Sequence, residues 1–436
     1  MNIRVAYDIS KVGSHFQEKY GILRVIEEVM DEINKSNDVE LTLIGMCSDD
    51  FLFNSISTGF YVKSRKDLQN LQKFNLSHCF KSKLQLEKLY LKYFDIELTT
   101  KLAELPKLAG SSIHIRLIRE ILYNIQKWDI GIIFDYNKFD IFHSTYYRFP
   151  AIDVTGDIPR VMTVYDLIPV ITPEFVTPGL TTWFTEVLQS INLKRDWVVC
   201  ISEYTKQEFC KYTGMSSERV FAAPLAAASH FHAVKDADKI YAACRRYKIP
   251  EGDYFLSLAA PQPRKNFAHL IRCFFRLLSE QPNLDVKLVL VGSKDLGFMY
   301  DEIFAVAESL TKFQSRVIFT GYIPDEELSE IYSGAKAFIF PSLYEGFGLP
   351  PLEAMQCGTP VIASNTTSIP EVVGDAGILV DPKDEDALCQ AMIELLNNVA
   401  LCQELSRKGI ERAAQFSWAR CASDTVEVYK TAISDR

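Results

Sequence analysis

Long apolar runs are missing from this chain of 436 residues: no stretch approaches the roughly 20 consecutive apolar residues that a bilayer-spanning helix needs. The ten cysteines, scattered from Cys47 to Cys421, include no Cys-x-x-Cys pair and no metal-ligand spacing. That pattern argues against a zinc-stapled or dithiol redox protein, and for reduced, buried thiols in a cytoplasmic one. Residues Ile3 to Ile9 already read as a strand, which leaves no room for a signal peptide. Positive charge is in deficit, with 47 Lys and Arg against 56 Asp and Glu for a formal net charge of −9. No nucleic-acid partner is expected of such a chain.

What is present is core material. Nearly half the residues, 48 %, are hydrophobic, enough for two or three domains. The charge is unevenly spread. Between Tyr61 and Phe94, eight Lys and Arg face only Asp67 and Glu87. Leu86, Leu89, Tyr90, Tyr93 and Phe94 fall on one helical stripe, with Lys83, Glu87, Lys88 and Lys92 opposite. Core packing is the ordinary reason for such a stripe. Its lysine excess also suits an anionic membrane surface or a phosphate-rich acceptor.

Hydrophobic periodicity divides the chain. Ile3 to Ile9 is a strand, Lys11 to Lys19 a polar loop, Tyr20 to Asn34 a helix and Val39 to Met46 the next strand. Residues 51–139 read as a mostly helical basic insertion, after which strands at Asp140 to His143, Arg160 to Tyr165, Trp197 to Ile201 and Val220 to Pro224 complete a first domain, 1–228. A linker with a short helix, 229–252, contains His230 and His232, read as surface residues. Six strands alternate with helices in a second domain, 253–415, and a last helix, 416–436, is expected to cross back to the first domain. The pattern is α/β, with two doubly wound, Rossmann-like parallel sheets.

The most informative stretch is AFIFPSLYEGFGLPPLEAMQCGTPV, ending at Val361. Its opening apolar run has the length and content of a buried parallel strand. A loop broken by Gly346 and Gly348 follows, and Pro350-Pro351 opens a helix that Cys357-Gly358 closes. Glycines let the backbone approach a ligand, and a helix start favours an anion. Glu345 lies in the loop and Glu353 is read in the helix's first turn. Taken singly, an early Glu commonly just complements the helix dipole. Pro263-Arg264-Lys265-Asn266, between the second domain's first strand and helix, places two adjacent cations where a diphosphate could bind, although an Arg-Lys pair alone is commonly a solvated turn.

Taken together, EGFGLPPLEAMQCGTPVIAS, IPEVVGDAGILVDP and PRKN resemble the signature of glycosyltransferase family 4. HSTYYRFP, VYDLIPVITPEF and ISEYT match further positions in the first half. The resemblance implies a GT-B fold and retaining transfer of a hexose-type sugar from a GDP-, UDP- or dTDP-sugar to a glycan or lipid-linked acceptor. Bacterial surface polysaccharide or glycoconjugate assembly, at the inner face of the membrane, is the implied setting. It also implies that Arg264 and Lys265 stabilise the leaving diphosphate, Glu345 holds a sugar hydroxyl and Glu353 the ribose hydroxyls. Asn266, Gly346, Phe347, Gly348 and Leu349 supply further contacts in this reading, as does Gly21. Arg24, His143, Tyr165, Asp166 and Ser202 are candidate contacts to sugar donor or acceptor. The chain departs from the family at Leu23, in place of a second glycine, and at Tyr165, where a histidine is usual. The second departure bears on which sugar is used. No Asp-x-Asp pair stands at a strand end in the second domain, so neither a metal nor another cofactor is expected. A retaining hydrolase also uses paired carboxylates, but it has no need of Arg264 and Lys265. A nucleotide-sugar epimerase or an inactive sugar-nucleotide binder would keep the same site.

Overall fold

The computed structural model describes residues 2–14, 21–44, 61, 65, 136–258, 262–292 and 311–436. The helical reading of 51–139 and the basic stripe therefore lie outside the described residues, apart from Tyr61, Arg65 and residues from 136 onward. Arg65 is neutralised locally, by Asp31 at 2.7 Å and Glu27 at 3.6 Å.

Two six-stranded, wholly parallel sheets organise these residues. The first comprises β1 (Ile3–Asp8), β2 (Val39–Ile44), β3 (Ile141–Ser144), β4 (Arg160–Val164), β5 (Trp197–Cys200) and β6 (Val220–Ala222), ordered β2-β1-β3-β4-β5-β6. The second comprises β7 (Asp253–Leu258), β8 (Val286–Val291), β9 (Val317–Gly321), β10 (Ala337–Phe340), β11 (Val361–Ser364) and β12 (Ile378–Val380), ordered β12-β11-β10-β7-β8-β9. Helices cover both faces, so the central strands are buried along their length; every residue of β3, β8, β10 and β11 is buried. The strand order reverses between β1 and β3 in one sheet and between β7 and β10 in the other. Ligands of open α/β sheets bind outside the carboxyl ends of strands at such points. The loops leaving β7 and β10 are those that carry Arg264-Lys265 and Tyr344 to Gly348.

Helix α1 (Ile22–Lys35) turns Leu23, Val25, Ile26, Val29, Met30 and Ile33 inward. The remaining helices that bear on the site are α2 (Pro178–Gln189), α3 (Glu203–Thr213), α4 (Ala237–Arg246), α5 (Phe267–Glu280), α6 (Leu349–Gln356), α7 (Ile369–Val373), α8 (Glu385–Asn397), α9 (Val399–Ala413) and α10 (Trp418–Ser434). The last helix, α10, lies along α1 and joins the first domain. Lys430 there pairs with Asp38 at 3.0 Å, and the Tyr429 hydroxyl meets His143 Nδ1 at 2.6 Å. Two expectations change. The polar loop from Lys11 begins inside a short helix, Ser10–Ser14, because Asp8 Oδ1 accepts from the Ser10 backbone N–H and hydroxyl and fixes the turn after β1. Glu353 sits in the second turn of α6, because the helix starts at Leu349, one residue before the prolines.

Candidate active site

The chain leaves β7 and makes a tight turn, Pro263–Lys265, closed by Asn266 in the left-handed conformation at φ 61°. Asn tolerates that conformation better than most residues. Its side-chain amide nitrogen donates to the Pro341 carbonyl at 3.2 Å and the Pro382 carbonyl at 2.7 Å. The turn is thereby clamped to the ends of β10 and β12, with its two cations aimed at one carboxylate. Glu345 Oε1 lies 2.7 Å from Arg264 Nη1 and 2.6 Å from Lys265 Nζ, and accepts from Ser342 Oγ at 2.6 Å. Burial alone would push the Glu345 carboxyl up, but Lys265 and Arg264 outweigh it and hold the pKa down at about 2. Burial pulls the Lys265 pKa below its usual value, and the Glu345 carboxylate restores part of the loss. In direct contact, two cations here meet one anion, with Asp166 standing behind them as a second carboxylate.

A second cluster has the opposite balance. Arg24, on α1 of the first domain, pairs with Asp325 at 2.9 Å and, closely, with Glu353 of the second. Burial raises the Glu353 pKa, Arg24 offsets part of that, and Asp325 adds to it. Arg24 Nε and His230 Nε2 are buried here with no hydrogen-bond partner among the described residues. Gly21 caps α1 at φ 61°, ψ −131°, a conformation that only glycine adopts readily.

Between the clusters the two domains touch. A Cβ at Gly346 would meet the Tyr165 carbonyl at 2.1 Å and Asp166 Cβ at 2.9 Å, so only glycine lets the loop pass. Thr205 Oγ1 donates to the Gly346 carbonyl at 3.1 Å, and the Tyr344 hydroxyl donates to Glu208. The Glu371 carboxylate, on α7, accepts from the Glu203 and Tyr204 backbone N–H groups at 3.1 Å each, sitting as an anion on the start of α3. Asp166 is buried behind Gly346. Burial raises its pKa to about 6 despite the nearby Arg264 guanidinium and a hydrogen bond from the Ile168 N–H at 3.0 Å. It lines a cavity of about 270 Å³, together with Tyr146, Trp183, Phe184, Gln262 and Arg264. Trp183 stacks on Tyr146, with ring centroids 4.9 Å apart.

The structure brings Arg264, Lys265, Glu345 and Asp166 together, and separately Arg24 and Glu353. Other candidates occupy supporting positions. His143 is buried with both ring nitrogens engaged, by Tyr429 and by Thr163 Oγ1 at 2.8 Å, and burial lowers its pKa to about 3. It fastens β3 to α10 beneath the site. Ser202 caps α3, accepting from the Thr205 N–H at 3.0 Å. Tyr165 is buried with its ring near Tyr146. The Phe347 carbonyl accepts from Ser368 Oγ at 2.6 Å, and the Phe347 ring packs on Phe416. Leu349 opens α6 immediately after Gly348, whose φ is 134°. Sequence reasoning missed Asp325, Glu371, Glu208 and Trp183, each of which is unremarkable until the domains are packed. It also read His230 as a surface residue, whereas the ring is half-buried beside Phe231, 4.4 Å between centroids.

Two doubly wound, parallel-sheet domains that meet at their switch points have the GT-B architecture. The sequence model of the family described as glycosyl transferases group 1 matches residues 245–412. The O-antigen chain mannosyltransferase B of Escherichia coli is 30 % identical over 285 residues, 65 % of this chain and 74 % of that protein. The serotype-specific mannosyltransferase WbdA of Escherichia coli is 34 % identical over 271 residues, 61 % of this chain but only 33 % of that longer protein. The crystal structure of a glycosyltransferase from Rickettsia africae superposes with a TM-score of 0.63 over 100 % of both chains at 16 % identity, a likeness of fold alone. The chain belongs to the glycosyl transferases group 1 family, of the family 4 type.

Proposed function

We propose that this glycosyltransferase moves a hexose, mannose first among candidates, from a nucleoside-diphosphate sugar to a glycan or lipid-linked acceptor, with retention and without a metal. The observation that carries the reading is the inner cluster. Arg264 and Lys265 outnumber Glu345, are clamped by Asn266, and stand at the β7/β10 switch point. As the anomeric bond breaks, negative charge grows on the departing diphosphate. Preorganised cations in a site closed to water stabilise that charge most where it is largest. They occupy the role a divalent cation would otherwise fill.

Glu345 is a poor general acid, since its pKa is held at about 2 by two cations. A hydrolase built on the Glu345 and Glu353 pair would have no use for the two cations that grip Glu345, and that grip leaves Glu345 to orient a sugar hydroxyl. Retention then follows a front-face route in which a leaving phosphate oxygen takes the acceptor's proton. Glu353 and Arg24 suit the ribose, and the Trp183 and Tyr146 rings beside Asp166 suit the acceptor's terminal sugar. The relatives named for O-antigen chain and serotype mannosyltransferases favour mannose and a bacterial surface polysaccharide. That work would place the protein at the inner face of the membrane.

Incubation with GDP-mannose, UDP-hexoses and dTDP-sugars, with and without mannan-type oligosaccharides, tests the proposal. Nucleoside diphosphate release that requires an acceptor is the expected result. Acceptor-independent release means hydrolysis or epimerase-type cleavage, and binding without turnover means a receptor.

A further inference from the structure

An open groove of about 670 Å³ runs beside α4 at the amino end of β7. The Arg264–Lys265 turn follows the carboxyl end of the same strand, so the groove is separate from the transfer site. Ile240, Tyr241, Cys244 and Arg245 line it from α4, at the spacing that shares one helix face. Tyr241 is 49 % exposed. Beneath lies Tyr254, whose hydroxyl donates to the Ile331 carbonyl at 2.7 Å. Gly334 leaves space there, since a Cβ would meet that hydroxyl at 2.6 Å and Ile240 Cγ2 at 2.7 Å. The end of α4 is unusual. The Lys248 N–H donates to the Arg245 carbonyl at 3.2 Å, and the Ile249 N–H to the Cys244 carbonyl at 2.9 Å. Such a paired closure usually has glycine at its left-handed position, because a Cβ strains the backbone there. Here that residue is Lys248, at φ 58°. The Cys244 and Arg245 carbonyls already have backbone donors, so basic side chains are not needed to cap them. Arg246 pairs with Glu327 at 2.5 Å, and the Tyr247 hydroxyl donates to the same carboxylate at 2.6 Å. Arg245 and Lys248 both line the groove, and neither has an ion pair among the described residues. Glu251 is the one carboxylate beside them.

We propose that this groove binds a small anion with an aromatic body, of the aryl phosphate class. The body would lie against Tyr241, Ile240 and Pro250, and the phosphate between Arg245 and Lys248. Small-molecule sites are concave and mostly apolar, with a few converging polar groups, and this groove has that make-up and a fitting size. A guanidinium grips phosphate through two parallel hydrogen bonds, and an ammonium adds a point charge. Non-glycine residues held in a strained backbone gather at ligand clamps, and Lys248 is one such residue on the groove itself. Glu327, held by Arg246 and Tyr247, is two residues from Asp325, which pairs with Arg24 of the first domain at 2.9 Å. A ligand here would rest on a helix end tied to the outer cluster, without meeting the sugar donor or the acceptor.

Isothermal titration calorimetry of the full-length chain, at low salt to limit screening, compares phenyl phosphate with inorganic phosphate and benzyl alcohol. The Arg264–Lys265 turn can also take a phosphate, so the titrations are repeated in Lys265→Ala. There, one equivalent of phenyl phosphate should still bind, and more tightly than either fragment. In that background, Arg245→Ala should weaken binding about 10-fold, the loss expected for one charge-assisted hydrogen bond. Tyr241→Ala should lower affinity for phenyl phosphate and leave that for inorganic phosphate unchanged. Lys248→Gly should weaken binding while raising Tm, because glycine relaxes the left-handed position. Its lost affinity then cannot be put down to a weakened fold. No heat with phenyl phosphate, or binding that survives Arg245→Ala combined with Lys248→Gly, would overturn the site. So would binding that vanishes in Lys265→Ala, which would assign the anion to the transfer cleft. Sugar transfer enters none of these readouts, so a failure of the proposed reaction is seen separately.

Discussion

The two charged clusters of the cleft are near mirror images. The inner one sets Arg264 and Lys265 on a single carboxylate, Glu345, with all three residues in the second domain. The outer one sets a single cation, Arg24 of the first domain, between Asp325 and Glu353 of the second. The inner ion pairs lie within one domain, and among the directly paired groups the excess charge is positive. The outer cluster exists only while the domains are together, and its excess is negative. A preorganised positive site suits a group whose charge grows during reaction. A negative site closed by a borrowed arginine suits hydroxyl groups and reports on closure.

The largest contrast should come from kinetics. Lys265→Ala should lower kcat by about 10²–10³-fold, as loss of one preorganised partner of developing charge does. Glu345→Ala should act mainly on kcat and Glu353→Ala mainly on KM for the sugar donor, because ribose contacts are alike in ground and transition states. Equal losses confined to KM in both variants would erase the distinction.

The pH dependence of stability separates two carboxylates of the inner site, Asp166 and Glu345. The Asp166 pKa is raised from 3.8 to about 6, so the folded state holds a proton that the unfolded state has lost between those values. The penalty of burying the ionised form is absent below about 3.8 and complete above about 6. Asp166→Asn should therefore stabilise at pH 8 by up to about 3 kcal/mol, and not at pH 3.5. Glu345, held at about 2, runs the other way: its contribution is present above about 4.5 and is lost as pH falls toward 2. Urea melts across pH on the single variants would show whether the two signs differ.

Smaller effects should follow from Arg24. In a double-mutant cycle with Glu353→Gln, Arg24→Ala should show coupling of about 1–3 kcal/mol in thermal or urea melts. Additive effects would mean that the outer cluster does not hold the domains. Smallest of all should be the effect of EDTA on the transfer rate. Abolition of turnover by chelation, with restoration by Mn²⁺, would hand the diphosphate to a metal and displace the inner cluster from that role.

The order of β7 to β12 and the loops at the site were legible because parallel strands buried on both faces read as short apolar runs, and because Gly, Pro and Asn mark their turns. Gly346 and Gly348 stood out for the same reason. Arg160 did not. It lies at the start of an expected strand, yet its side chain is fully buried against Asp196 at 2.5 Å, and nothing in the surrounding residues announces the partner 36 positions away. His143 stood out by residue type, but its environment, a core between β3 and α10, depends on a helix that begins 275 residues later.

Local chemistry was thus determined by the sequence itself: periodicity set the elements, glycine set where the backbone could turn or pass, and the adjacent cations marked a candidate anion site in the turn after one strand. Tertiary structure decided every pairing between distant residues. Arg24 met Glu353 and Glu371 met the start of α3 only because two sheets and their helices packed in one arrangement. Hydrogen bonds and charge attraction act over a few ångströms, so such partners can be read only after the fold has removed the hundreds of residues between them.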